Sequence, residues 1–205
     1  MMEYDGDAIS NTESLDSKRS DDMSEEIKYY AGIGSRKTPS AIRGFMVELA
    51  KAMAEEGFVL RSGGAAGADK AFETGVDYWH YLNNDQNRTV PKQIFLAQDI
   101  KGDTTSMAAI NLAMKYHPAW NRMQRFAQNL HARNAFQIMG RDMKSPVKAV
   151  ICWTPDGCID HQHRTIYTGG TGTAISIASE AKIPVLNLYY RQHIDKLCER
   201  FGITV

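Results

Sequence analysis

The sequence predicts an α/β domain, a three-layer sandwich built on a mostly parallel sheet. Short hydrophobic strand patterns alternate with amphipathic helix patterns from Lys28 onward. The intervals between strands are long enough for crossover connections, which parallel pairing requires. Glycine-rich turns follow the strands at their carboxyl ends, where sheets of this kind hold ligands.

At 205 residues the chain fits one domain with a single well-filled core, and no apolar run approaches the ~20 residues of a membrane span. The three cysteines, Cys152, Cys158 and Cys198, are an odd number without C-x-x-C spacing. No zinc site or disulfide framework is expected, and a reducing cytoplasm fits. The N-terminus is acidic and polar, unlike a secretory signal.

Residues Met1 to Ile27 carry nine acids against Lys18 and Arg19, a balance of −7. Their composition reads as a disordered acidic leader, with Met23 as an alternative start, ahead of a single domain over 28–205. Because the formal net charge is zero, that domain is +7. A basic body favours a polyanionic or phosphate-bearing ligand, although a solvated surface would hold the same excess.

The first strand is Lys28 to Gly34, followed by a turn and by Pro39, which suits the first turn of a helix. That helix sets Phe45, Leu49, Ala52 and Met53 on one face, and Gly57 ends it. Phe58 to Arg61 is the second strand, and a second Gly-rich turn opens a helix over 66–80. Tyr81 to Pro91 reads as a variable polar loop, and Lys92 to Ala97 as strand three. Thr105 to Tyr116 and Ala119 to Gly140 read as helices, the latter long and continuous. Strand four spans Val147 to Trp153, strand five Ile183 to Leu188, and Arg191 to Arg200 is a last amphipathic helix.

The run Tyr167 to Ala174, with Gly169, Gly170, Thr171, Gly172 and Thr173, is the strongest ligand signal. Glycine lets the backbone approach a ligand, and unpaired N–H groups of the first helical turn point at an anion. Gly34, Ser35 and Arg36 follow strand one, where Ser35 can cap the helix or donate to a phosphate and Arg36 can bind one bidentately. Ser62, Gly63, Gly64 and Gly67 repeat the design after strand two. Asp69 there complements the helix dipole or accepts from a ribose hydroxyl.

Arg133 and Asn134 form a polar step on the long helix, as cleft residues or as two exposed ones. Trp153 can stack on a base or belong to the core, and Asp156 can bind an amine or ribose. Tyr167 and Trp120 are further stacking candidates. The run His161-Gln162-His163-Arg164 invites a metal reading with Asp160, but without a third well-spaced ligand no metal is expected, and a basic, hydrogen-bonding loop beside the pocket is the better reading. No cofactor is assigned, and no catalytic residue, because nucleophile elbow, Ser-His-Asp order and Walker A lysine are missing from the sequence.

Four motifs in order, Ala31 to Arg36, Ser62 to Asp69, Ala132 to Asn134 and Gly169 to Ala174, resemble the SLOG superfamily of Rossmann-like folds. Within it the chain is most similar to the DNA-processing protein A (DprA/Smf) group, above all its short bacteriophage members, over about Tyr29 to Leu188. The resemblance implies a Rossmann-like core and three readings. The first is binding, without turnover, of a nucleotide or nucleotide-derived signal, as in phage-type sequestration of immune signals in a host cytoplasm. The second is single-stranded DNA binding as in DprA, through Gly34-Ser35-Arg36 and Arg133-Asn134. The third is N-glycosidic hydrolysis of a nucleoside monophosphate, as in Lonely Guy-type members. Their motif carries a proline at Thr168 and a glutamate at Ser176 of this chain, and Glu180 or Asp156 would have to stand in for that glutamate. Expected partners are therefore a nucleotide-derived small molecule or single-stranded DNA, and further copies of the chain, with no membrane.

Overall fold

The computed structural model describes residues 26–83 and 89–204. Nearly all of the expected leader, and part of the loop between Tyr81 and Pro91, lie outside the described residues. Five strands, β1 (Lys28–Gly32), β2 (Phe58–Ser62), β3 (Lys92–Ile94), β4 (Ala149–Cys152) and β5 (Val185–Asn187), form one sheet in the order β3-β2-β1-β4-β5. Every pairing is parallel. Six helices flank it: α1 (Ser40–Glu55), α2 (Ala68–Asn83), α3 (Thr104–Tyr116), α4 (Arg125–Met139), α5 (Thr171–Glu180) and α6 (Arg191–Phe201). This is a Rossmann-like three-layer sandwich.

Strand periodicity sends alternate side chains into two cores. Tyr30, Leu60 and Ile151 pack with α1, α2 and α6, while Ala31, Val150 and Cys152 pack with α3, α4 and α5. Burial on both faces is why the strand segments read as nearly continuous apolar runs. Among the described residues no helix is long and apolar enough to cross a membrane.

Two expectations need correction. The helix expected over Ala119 to Gly140 is broken: a 3-10 turn spans Trp120–Arg122, Met123 and Gln124 are extended, and α4 starts at Arg125. Trp120 is buried in the core beside α3 and α4, and its carbonyl accepts from Gln128 Nε2 at 3.1 Å. Tertiary burial of one large ring thus outweighs local helix propensity. The second helix starts at Ala68 rather than Ala66, because Gly67 sits at φ +90°, outside helical geometry.

Gly75, inside α2, sets how closely α1 approaches. A Cβ there would lie 2.3 Å from the Val47 carbonyl oxygen and 2.7 Å from Ala50 Cβ. Gly75→Ala gains about 1 kcal/mol of helix propensity, yet overpacking costs ~1–3 kcal/mol. Since the clash is with rigid backbone, overpacking should win and the urea midpoint should fall. Gly44→Ala in α1, with nothing within 4 Å of the new Cβ, should raise the midpoint instead. A midpoint that rises in both variants would contradict the close helix contact.

Candidate functional site

The chain leaves β1 toward β2 on one side and later returns to β4 on the other, so the carboxyl ends of β1 and β4 bracket a crevice. A cleft of about 530 Å³ opens there. Its walls come from the turn after β1 (Gly34, Ser35, Arg36, Lys37), from Ala65 and Asp69, from α4, and from the segment Ile166 to Thr171.

The two upstream loops are packed backbone to backbone. Ser35 N–H donates to the Trp153 carbonyl at 3.0 Å, and the Ser35 carbonyl accepts from Ala68 N–H at 3.4 Å. Only a glycine fits at 67, where a Cβ would lie 2.5 Å from the Ser35 carbonyl oxygen and 2.7 Å from Arg36 Cα. Ser35 does not cap α1, whose N-cap position is Pro39; its hydroxyl instead accepts from Lys37 N–H at 3.0 Å. Arg36 and Lys37 are thereby held exposed at the cleft edge.

Asp69 turns back into its own loop. Its Oδ2 accepts from Gly63 N–H at 3.1 Å and Ala65 N–H at 3.5 Å, and lies 3.9 Å from Arg133 Nη1. Burial pushes its carboxyl up to about 6, against the pull of Arg133 and the two N–H groups. Ser62 is fully buried and donates to Glu73 at 2.7 Å, so it braces the loop rather than facing the cleft. Gly64 is exposed at φ +68°.

Arg133 and Asn134 are each 8% exposed and line the cleft, so they are not the exposed helix pair of the alternative reading. Asn134 Nδ2 donates to the Gly170 carbonyl at 3.1 Å, tying α4 to the Gly-rich turn. Arg133 Nη1 sits near the Phe95 carbonyl at 3.5 Å, but Arg133 Nε and Gln137 Nε2 are buried without partners among the described residues.

The Gly-rich turn behaves as a helix entry. Gly169 has φ +62°, Gly170 is the N-cap residue of α5, and Gly172 N–H closes on the Gly169 carbonyl at 3.1 Å. Neither Gly170 N–H nor Thr171 N–H donates to another described residue. Thr173 is buried, with its Oγ1 2.8 Å from His131 Nδ1.

Trp153 and Asp156 do not reach the cleft. Trp153 packs against the α1/α2/α6 core, and Asp156 accepts from the Thr165 and Thr168 hydroxyls, clamping the loop that precedes the Gly-rich turn. Burial opposes the Asp156 carboxylate, but the Thr165, Thr168 and Thr154 hydroxyls and the Cys158 N–H together outweigh it and hold its carboxyl below the ordinary value. Trp120 is core. Tyr167 and Ile166 stand at the rim, 68% and 88% exposed. Among the described residues no group of three His, Cys, Asp or Glu is placed to hold a metal.

Lys37, Leu130, His131, Gln137 and Ile166 also line the cleft and were not singled out by the sequence. A signal for two of them existed. Leu130, Arg133, Asn134 and Gln137 follow the i, i+3, i+4, i+7 spacing of one helical face. A scan against protein-family models found no match to this chain, and searches of curated proteins and of solved structures likewise found none.

Half-buried His131 lies among cations. Burial first, then His117, Arg164 and Arg133, push its pKa down to about 4 from the ordinary 6.5. The unfolded chain therefore takes up this proton first. The residue's contribution to stability is present above about pH 6.5 and lost as pH falls toward 4. His131→Gln, which keeps a hydrogen bond to Thr173, should lose less stability than wild type across that window in urea titrations. Parallel pH profiles would show that His131 is not shielded.

Proposed function

We propose that the cleft binds a phosphate-bearing nucleotide, or a molecule derived from one, without turning it over. The reading rests above all on Arg133, a buried guanidinium lining the cleft with its Nε unpartnered among the described residues. A buried donor without an acceptor costs about 1–3 kcal/mol, which an oxyanion in the cleft would offset. Arg36, Lys37 and the first turn of α5 face the same space, giving cations and free backbone N–H groups together. Exposed Tyr167 offers a base an aromatic face at the rim.

Binding without turnover is supported by where the acids lie. Ser176 is fully buried and hydrogen-bonded, so a glutamate-like general acid is missing from that position. Glu180 is ion-paired to Lys115 at the far end of α5, and Asp156 is engaged by two threonines. Asp69 lines the cleft, but its Oδ2 is engaged by the Gly63 and Ala65 N–H groups. A strand of DNA is the second reading, favoured by the exposed Tyr167 and Ile166 beside a basic wall. It requires oligonucleotide binding that weakens steeply with salt and with Arg36→Ala; no binding at low salt removes it.

Mass spectrometry of small molecules released from heat-denatured protein should identify a phosphorylated nucleotide, and calorimetry with that compound then reads affinity. Gly170 has φ −62° and nothing within 4 Å of a new Cβ, so both Gly170→Ala and Gly170→Asp should fold. Gly170→Ala should bind nearly as wild type. Gly170→Asp places a negative charge where the anion sits, and at ~4 Å that repulsion is worth about 1–4 kcal/mol, a loss of roughly tenfold to several hundredfold. A folded Gly170→Asp protein with unchanged affinity would reduce the loop to a turn.

A further inference from the structure

A second cleft, of about 750 Å³, lies on the other side of the Gly169–Gly170 turn. It shares His131, Ile166, Gly169 and Gly170 with the first, so the two hollows meet at this turn. Its distinguishing wall consists of Arg164, His117, His161 and the end of α3. We propose that this cleft is a second anion subsite, and that the ligand is a small nucleotide carrying two phosphate groups, one on either side of the turn. The proposal rests on the nucleotide reading of the first cleft.

Arg164 carries the argument. Its guanidinium is partly buried, and Nη1 donates to the Tyr116 carbonyl at 2.7 Å and to Ser176 Oγ at 2.9 Å. Both acceptors are neutral. No carboxylate pairs with Arg164 among the described residues, and Nε and Nη2 make no hydrogen bond there. The guanidinium lies across the first turn of α5 because residue 172 has no side chain; a Cβ there would be 2.6 Å from Nε and 2.9 Å from Nη2. A fixed cation with two free donors, set against a helix N-terminus, matches a phosphate.

The imidazoles add no competing acid, and His117 adds a donor. His117 Nδ1 accepts from Ala119 N–H at 3.2 Å, so its own ring proton is on Nε2. Ser176 donates its hydroxyl proton to the Gly172 carbonyl at 2.9 Å, so at 2.9 Å from Ser176 Oγ it is His161 Nδ1 that carries hydrogen. Lys115 at the mouth is neutralised by Glu180 at 2.7 Å. His131, at the junction, feels the positive charge of Arg133 from the first cleft and of Arg164 from the second.

The test is calorimetric titration of the full chain with the 5′-phosphorylated dinucleotide pApA and with adenosine monophosphate. Wild type should bind pApA at least about tenfold tighter, the gain from one further charge-assisted phosphate contact. In Arg164→Gln the ratio of the two affinities should fall toward one, whereas Arg36→Ala should weaken both ligands. Lys115→Glu, at an exposed position safe for folding, should lower the same ratio by adding negative charge at the mouth of the second cleft. An unchanged ratio in folded Arg164→Gln, or in Lys115→Glu should the first variant not fold, overturns the subsite while leaving the nucleotide reading on the monophosphate result. Titrations in which neither ligand binds wild type overturn the nucleotide reading, and the subsite with it.

Discussion

The guanidinium of Arg133 occupies the space that a side chain on Gly63 would fill. A Cβ at 63 would stand 1.2 Å from Arg133 Nη1, so loop, helix and cation are one fitted unit. The loop after β2 keeps its shape because Gly63 and Ala65 donate to Asp69, and Asp69 in turn faces Arg133 at 3.9 Å. The pair is far from satisfied. Burial raises the Asp69 carboxyl to about 6 despite the neighbouring cation, so attraction across this gap does not make up for desolvation. Arg133 Nε and Gln137 Nε2 lie beside it without acceptors among the described residues. A polar floor built this way is short of hydrogen-bond acceptors among the described residues, and it lies at the crevice by the switch point of the sheet.

The layers of the fold were legible because periodicity reports burial directly. Strands buried on both faces give unbroken apolar runs, and the loops after β1 and β2 carry glycines where the chain must turn close to another backbone. The break before α4 was not legible. Ala119 to Gly140 has a good helical pattern, and what divides it is the long-range burial of Trp120, which no local propensity encodes. Strand lengths were overread for a related reason: Trp153 looks like strand, but its carbonyl serves the Ser35 turn instead of a ladder.

For the site, motifs at strand ends were readable, and the division of labour within them was not. Gly67 and Ser62 share a motif with Gly63, yet one spaces two backbones and the other braces Glu73, and neither lines the cleft. Arg133 and Asn134 were recognisable as a pair, while Gln137 one turn later needed only the helical spacing to be found. Arg164 was readable only as part of a basic loop beside the pocket, and His117 carries no motif. They come from different segments of the chain, and only the fold sets them around one turn.

That turn can serve two hollows because it is thin. Gly169 and Gly170 put no side chain between them, and a Cβ on Gly170 would meet nothing within 4 Å on either side. The N–H groups at the start of a helix fan around its axis, so a wall without side chains exposes them in more than one direction. Asn134 holds one flank through the Gly170 carbonyl, and Arg164 holds the other by lying over Gly172. Ser176 belongs to this geometry too. Its hydroxyl returns to the Gly172 carbonyl and receives Arg164, so a small residue at 176 is what allows the guanidinium to reach the helix entry. An acidic side chain there would put a carboxylate against Arg164 in place of this neutral hydroxyl. A small residue at 176 thus holds this cation through a neutral hydroxyl rather than a carboxylate.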